Sequence, residues 1–229
     1  MPFKRIDRRL VSLTAPSSFE AEQYQALRLK LEFLQRSREL RLIAVTSPGV
    51  KDGKTITAIN LAASLAQGSD ARILLVEADL RRPVLSRYLA LERTRAPGLS
   101  EILLDPARRL GDAVLETGNR FNVVLAGSAG APVHEMFRSP RLEALLREAR
   151  DEYDVVVLDT PPVGAVSDCA LLARLVDGVL LVVAAHRTSR RLLEEALNQL
   201  DAGHVLGMVF NGDDRLFNKY RRHYRRARP

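Results

Sequence analysis

The chain has 229 residues, 46% hydrophobic and 28% charged, which suits one α/β domain with a full apolar core. No apolar run reaches the ~18 residues of a membrane span, the N-terminal Met1-Pro2-Phe3-Lys4-Arg5 has no signal-peptide pattern, and the single cysteine, Cys169, excludes an internal disulfide framework and suits the cytoplasm. The formal charge of +7 is accounted for by the seven basic residues between Arg215 and Pro229, which have no acidic residue among them, so a basic nucleic-acid-binding fold is excluded and a solvated arm expected. The four histidines, His134, His186, His204 and His223, lack metal-ligand spacing.

In chain order, Tyr24, Leu27, Leu31 and Leu34 predict a lead-in helix over Phe19–Arg36, with Ser17 or Ser18 as N-cap. Strands are predicted over 42–47, 73–78, 121–125, 155–159, 179–184 and 205–211. Helices alternate with them over 55–66, 83–89, 99–104, 140–150, 168–175 and 189–200. The Val/Ile/Leu runs are continuous instead of alternating, the pattern of strands buried on both faces. Strand–helix alternation then implies right-handed crossovers and a mostly parallel sheet between two helical layers, an α/β three-layer sandwich. Residues 127–132 are expected as a surface loop near the carboxyl edge of the sheet.

Between the first strand and its helix stands Ser47-Pro48-Gly49-Val50-Lys51-Asp52-Gly53-Lys54-Thr55. A glycine-containing loop closing on Gly-Lys-Thr at a helix N-terminus is the layout of a P-loop, whose backbone N–H groups and helix dipole favour phosphate. Lys54 would reach the terminal phosphates and the Thr55 hydroxyl would hold Mg²⁺. Pro48 stands where the strict pattern has glycine. Ligands of such folds bind at the carboxyl ends of strands, and two predicted strands end there in acids. The second runs into Glu77-Ala78-Asp79-Leu80-Arg81, where residues two apart would share a face. The fourth ends Val157-Leu158-Asp159, a Walker B pattern whose aspartate holds Mg²⁺ directly or through water.

Taken together, the P-loop, Val76-Glu77-Ala78-Asp79-Leu80-Arg81-Arg82-Pro83 and Leu158-Asp159-Thr160-Pro161-Pro162-Val163-Gly164 resemble the bacterial tyrosine kinases of capsule and exopolysaccharide synthesis. These are built on the P-loop fold of the division and partitioning ATPases, and the likeness extends over roughly 19–211. The resemblance implies ATP and Mg²⁺, with Gly49, Val50, Lys51, Asp52, Gly53, Lys54, Thr55 and Ile56 around the nucleotide and Asn211 at the adenine. It places the metal on Thr55, Asp79 and Asp159, and catalysis on Lys54, Glu77, Asp79 and Arg81. Glu77 falls where the family has an aspartate, as base or metal partner; one extra methylene there displaces the carboxylate by about a bond length, and misplacement of ~1 Å can cost ~10²-fold.

The family's E-x-x-R-x-x-R on the lead-in helix, which packs subunits into a ring, reads Glu22, Gln25, Arg28 here. Its tyrosine-rich tail is reduced to Tyr220 and Tyr224, either of which is a candidate phosphoacceptor. The resemblance also implies a homo-oligomer and a cytoplasmic location beside the inner membrane. There the partner would be the cytoplasmic segment of an inner-membrane polysaccharide co-polymerase. Expected parts are an N-terminal extension (1–18), a P-loop domain (19–212) and a basic tail (213–229). Two other readings stand beside the autokinase. One is an ATP switch of the partitioning type, which Gly49 opposes because those proteins carry a lysine there. The other is a degenerate kinase, an ATP-binding scaffold for polysaccharide assembly.

Overall fold

The computed structural model describes residues 6–68, 70–91, 94–128, 130–164 and 168–213. Tyr220, Tyr224 and the basic tail lie outside them. Among the described residues, seven strands are β1 (Leu42–Thr46), β2 (Ile73–Glu77), β3 (Leu115–Glu116), β4 (Phe121–Val124), β5 (Val155–Asp159), β6 (Gly178–Ala184) and β7 (Val205–Asn211). They form one sheet in the order β3-β4-β2-β5-β1-β6-β7, parallel except for the short edge strand β3. Every residue of β1, β2, β5 and β6 is buried, as continuous apolar runs require.

Alternate strand residues feed two cores. Ile43, Val45, Ile73 and Leu75 face one helical layer, whereas Leu42, Ala44, Leu74 and Val76 face the other. The first layer contains α1 (Val11–Thr14), α2 (Phe19–Gln35) and α3 (Lys54–Gly68). Small Ala58, Ala62, Ala63 and Ala66 bring α3 close to the sheet. α1 and α2 cover its outer side, so α3 is buried almost all round. Asn60 joins α3 to the N-terminal segment there: its Oδ1 accepts the Ser12 N–H at 2.8 Å and its Nδ2 donates to the Arg9 carbonyl at 3.0 Å. Of the segment expected as an extension, the described residues from Ile6 onward therefore pack into the domain, with Leu10 fully buried.

Ser18 caps the start of α2, its Oγ accepting the Ala21 N–H at 3.2 Å. Its buried stripe lies on α3. Arg28 follows it, donating to the Ser64 carbonyl at 3.4 Å and pairing with Glu32 at 3.5 Å, while Glu22 is exposed. Arg28 is thus engaged within its own domain.

The second layer holds α5 (Leu99–Leu104), α6 (Val133–Arg138), α7 (Pro140–Glu152), α8 (Asp168–Ala173) and α9 (Arg190–Asn198); the short α4 (Leu85–Tyr88) follows β2. β4 lies where a strand was expected, but α6 and β3, which pairs with β4 as a hairpin, were not among the elements expected from sequence. Six residues after Pro132 carry too little periodicity to declare a helix. The hairpin's signal is confined to its turn, where Gly118 and Arg120 take φ of 69° and 64°.

Candidate active site

β1 delivers the P-loop at the middle of the carboxyl edge. Gly53 has φ of 100°, and a Cβ added there would stand 1.9 Å from Asn211 Nδ2, so this close approach requires glycine. Asn211, the last residue of β7, donates from Nδ2 to the Asp52 carbonyl at 2.9 Å. Asp52 turns its carboxylate back on its own loop, where Oδ2 accepts the Gly49 N–H at 2.9 Å. Ser47 Oγ donates to the Gly49 carbonyl at 2.7 Å. Pro48 leaves the loop intact because its neighbours do the tying. The Val163 N–H donates to the Ser47 carbonyl at 2.9 Å, and a Cβ on Gly164 would come within 2.9 Å of the Pro48 carbonyl oxygen. α3 begins at Lys54, which leaves its unpaired N–H groups facing the loop, the physical basis of anion binding.

Lys54 Nζ is buried and stands 2.8 Å from Asp79 Oδ2 and 3.2 Å from Asp159 Oδ1. Burial alone would pull its pKa down, but Asp159 and Asp79 outweigh this and raise it, so the ammonium is kept. Asp159 is fully buried, which pushes its carboxyl up against the opposing pull of Lys54. Its Oδ2 has no hydrogen-bond partner although it is shielded from water. An orphaned carboxylate oxygen at such depth is costly unless a cation meets it. Asp79, Asp159 and the Thr55 hydroxyl therefore offer hard oxygens to a divalent cation. Among the described residues no cluster of three or more His, Cys, Asp or Glu forms a closed cage. Few protein ligands with phosphate oxygens completing the shell is the manner of Mg²⁺ rather than Ca²⁺.

Glu77 is arranged differently from Asp79. Its Oε1 accepts the N–H groups of Val84 and Leu85, both at 2.6 Å, and Oε2 accepts that of Ala126 at 3.0 Å. Burial raises its pKa while these three N–H groups oppose the rise. Glu77 thus ties the end of β2 to the start of α4 and the end of β4. Asp79 Oδ1 accepts the Arg82 N–H at 3.2 Å, leaving Oδ2 for Lys54.

Of the remaining residues expected here, Val50, Lys51 and Arg81 are exposed and Ile56 is half-buried. Sequence reasoning missed Arg187, in the turn between β6 and α9. It pairs with Asp52 Oδ1 at 3.3 Å and also donates to the Lys51 carbonyl. Its one available signal was position: it follows the carboxyl end of a central strand.

A family model described as an AAA domain matches residues 41–202. Tyrosine-protein kinase YwqD of Bacillus subtilis (strain 168) is 31% identical over 210 residues, covering 91% of this chain and 87% of its own. The chain belongs to the bacterial tyrosine kinases. The solved kinase domain of Escherichia coli tyrosine kinase ETK superposes on this kinase with a TM-score of 0.84 at 30% identity, covering 93% of this chain and 82% of its own. Succinoglycan biosynthesis transport protein ExoP of Rhizobium meliloti (strain 1021) is 35% identical over 221 residues, but the kinase spans only 27% of it.

Proposed function

We propose that this kinase transfers the γ-phosphoryl group of ATP to a tyrosine of a neighbouring copy, Tyr220 or Tyr224, and so regulates capsular or exopolysaccharide synthesis and export. The observation that carries the reading is Lys54 Nζ held at 2.8 and 3.2 Å from Asp79 and Asp159 at the mouth of the P-loop. The lysine occupies a place of dense negative charge and is long enough to turn to phosphate oxygens. Mg²⁺ on Thr55, Asp79 and Asp159 would offset charge on the transferring group. The protein's own part would be positioning: α3 and the loop amides would receive the phosphates, Asn211 would lie at the base end, and the exposed Arg81 would meet the acceptor.

In the transfer the phenolic oxygen bonds to the γ-phosphorus and the bond to the bridging oxygen of ADP breaks. The phenolic proton passes to solvent. Little covalent chemistry is asked of the protein in such a loose transition state, which fits a Glu77 whose oxygens are both occupied by backbone donors. We assign Glu77 to positioning instead of proton transfer. ExoP's remaining length supports a partner: an inner-membrane co-polymerase would present its cytoplasmic segment to this kinase and hold it at the membrane. The described residues contain no helix long and apolar enough to cross a membrane.

The occupied Glu77 also favours a second reading, a nucleotide-binding scaffold without tyrosine transfer. Incubation with ATP and Mg²⁺, alone and with the partner's cytoplasmic segment, followed by mass-spectrometric mapping, separates the two. Phosphate on Tyr220 or Tyr224 that vanishes in Lys54→Ala is the expected result. Nucleotide binding with unmodified tyrosines under both conditions rejects the kinase reading in favour of the scaffold.

A further inference from the structure

Lys51, at the apex of the P-loop, has φ of 65°. A residue with a Cβ is disfavoured there and persists when its surroundings over-determine it. The surroundings are identifiable. The Arg187 guanidinium donates to the Lys51 carbonyl and pairs with Asp52 Oδ1 at 3.3 Å. Asn211 Nδ2 donates to the next carbonyl, that of Asp52, at 2.9 Å. Asp52 is itself 4% exposed, so its charge is buried, and Arg187 is the cation paired with it.

In a planar trans peptide the C=O of one residue and the N–H of the next point in opposite directions. Pinning the Lys51 and Asp52 carbonyls therefore fixes the direction of the Asp52 and Gly53 N–H groups, which belong to the loop that receives phosphate. We propose that Arg187 is a positioning residue: it holds Lys51 in the left-handed conformation and so keeps the loop amides set for nucleotide phosphate. This rests on the nucleotide reading above. Lys51 could not keep the conformation cheaply by itself; a glycine could.

That difference supplies the test. Binding of a fluorescent ADP analogue with Mg²⁺ is measured on the full chain for the wild type, Arg187→Ala, Lys51→Gly and the double variant, with thermal melts to confirm folding. Arg187→Ala is expected to weaken binding about tenfold in the wild-type background and less than twofold when Lys51→Gly is present. Arg187→Lys, which keeps a donor, falls between. An equal penalty in both backgrounds overturns the inference and shows that the guanidinium meets the nucleotide directly. No penalty in either background overturns it as well. A folded wild type that binds no nucleotide overturns the nucleotide reading, and this inference with it.

Discussion

Along the carboxyl edge of the sheet, charge is handled in two ways. Over β1 and β5, Lys54, Asp79 and Asp159 are buried together and balance one another, with Asp159 Oδ2 left over. Over β2 and β4, Glu77 and Glu101 are balanced by backbone N–H groups: Glu77 by those of Val84, Leu85 and Ala126, Glu101 by those of Gly98 and Ser128. Side-chain ions balanced by one another are exchangeable, since an incoming phosphate or metal can take over one partner. A carboxylate saturated by backbone donors holds loops and has little to exchange. The two regions adjoin, and Glu77 and Asp79 lie on opposite sides of the boundary though one residue separates them.

The largest effect should come from breaking the exchangeable set. Lys54→Met leaves Asp79 and Asp159 facing each other without their cation, and removing one member of a buried ion pair costs about 3–5 kcal/mol. Tyrosine phosphorylation should fall to background. The pH dependence follows from sign. Asp159 already has a raised carboxyl pKa through burial, and loss of Lys54 raises it further. A carboxyl group with a folded pKa above its unfolded value takes up a proton on folding, so stability is recovered as pH falls through the raised value. Urea melts of Lys54→Met should therefore gain on the wild type as pH falls. Parallel profiles would show that Lys54 is not balancing these carboxylates.

Glu77 tests the boundary. Glu77→Gln replaces one acceptor oxygen by a donor facing backbone N–H, and Glu77→Asp withdraws the carboxylate from three donors that a longer side chain reaches. Each should cost about 1–3 kcal/mol, the penalty of leaving buried donors unmet. If Glu77 only positions, both variants lower kcat by a similar factor with the shape of the pH–rate profile unchanged. Loss of one limb of that profile in Glu77→Gln alone would return Glu77 to the role of base.

How much of this could be read from sequence depends on where the partners lie in the chain. β1, β2, β5 and β6 were legible because burial on both faces demands unbroken apolar runs, and Lys54, Asp79 and Asp159 because motif spacing and strand ends announce them. The direction of Glu77 was not legible. Strand periodicity put it with Asp79, but the β-strand ends at Glu77 itself and its partners come from the start of α4 and from Ala126, far along the chain. The conformation of Lys51 and the part played by Arg187 escaped for a related reason: a left-handed lysine violates local preference, and what sustains it arrives from beyond β6. β3 was too short to show alternation.

The smallest of the expected effects concerns Glu101, on the backbone-balanced side. Its Oε2 accepts the Gly98 N–H at 2.8 Å and its Oε1 accepts the N–H and hydroxyl of Ser128 at 2.8 and 2.6 Å, so it fastens the start of α5 to the loop after β4. Burial works against its charge, but the Ser128 and Gly98 donors prevail and lower its pKa to about 2 from 4.5. A depressed carboxyl pKa contributes stability that is complete above the unfolded value and is lost as pH falls from about 4.5 toward 2. Because the group is partly exposed, solvent screening discounts the contribution to about 1 kcal/mol. Glu101→Gln should therefore lower stability by about that amount at pH 7 and by about a quarter of it at pH 2.5, read from denaturant midpoints, with nucleotide affinity unchanged. A stability loss of the same size at both pH values would mean that the side chain's shape, and not its charge, fastens the loop. A loss of nucleotide affinity in this variant would mean that the β4 loop is coupled to the exchangeable set, and the division between the two regions would fail.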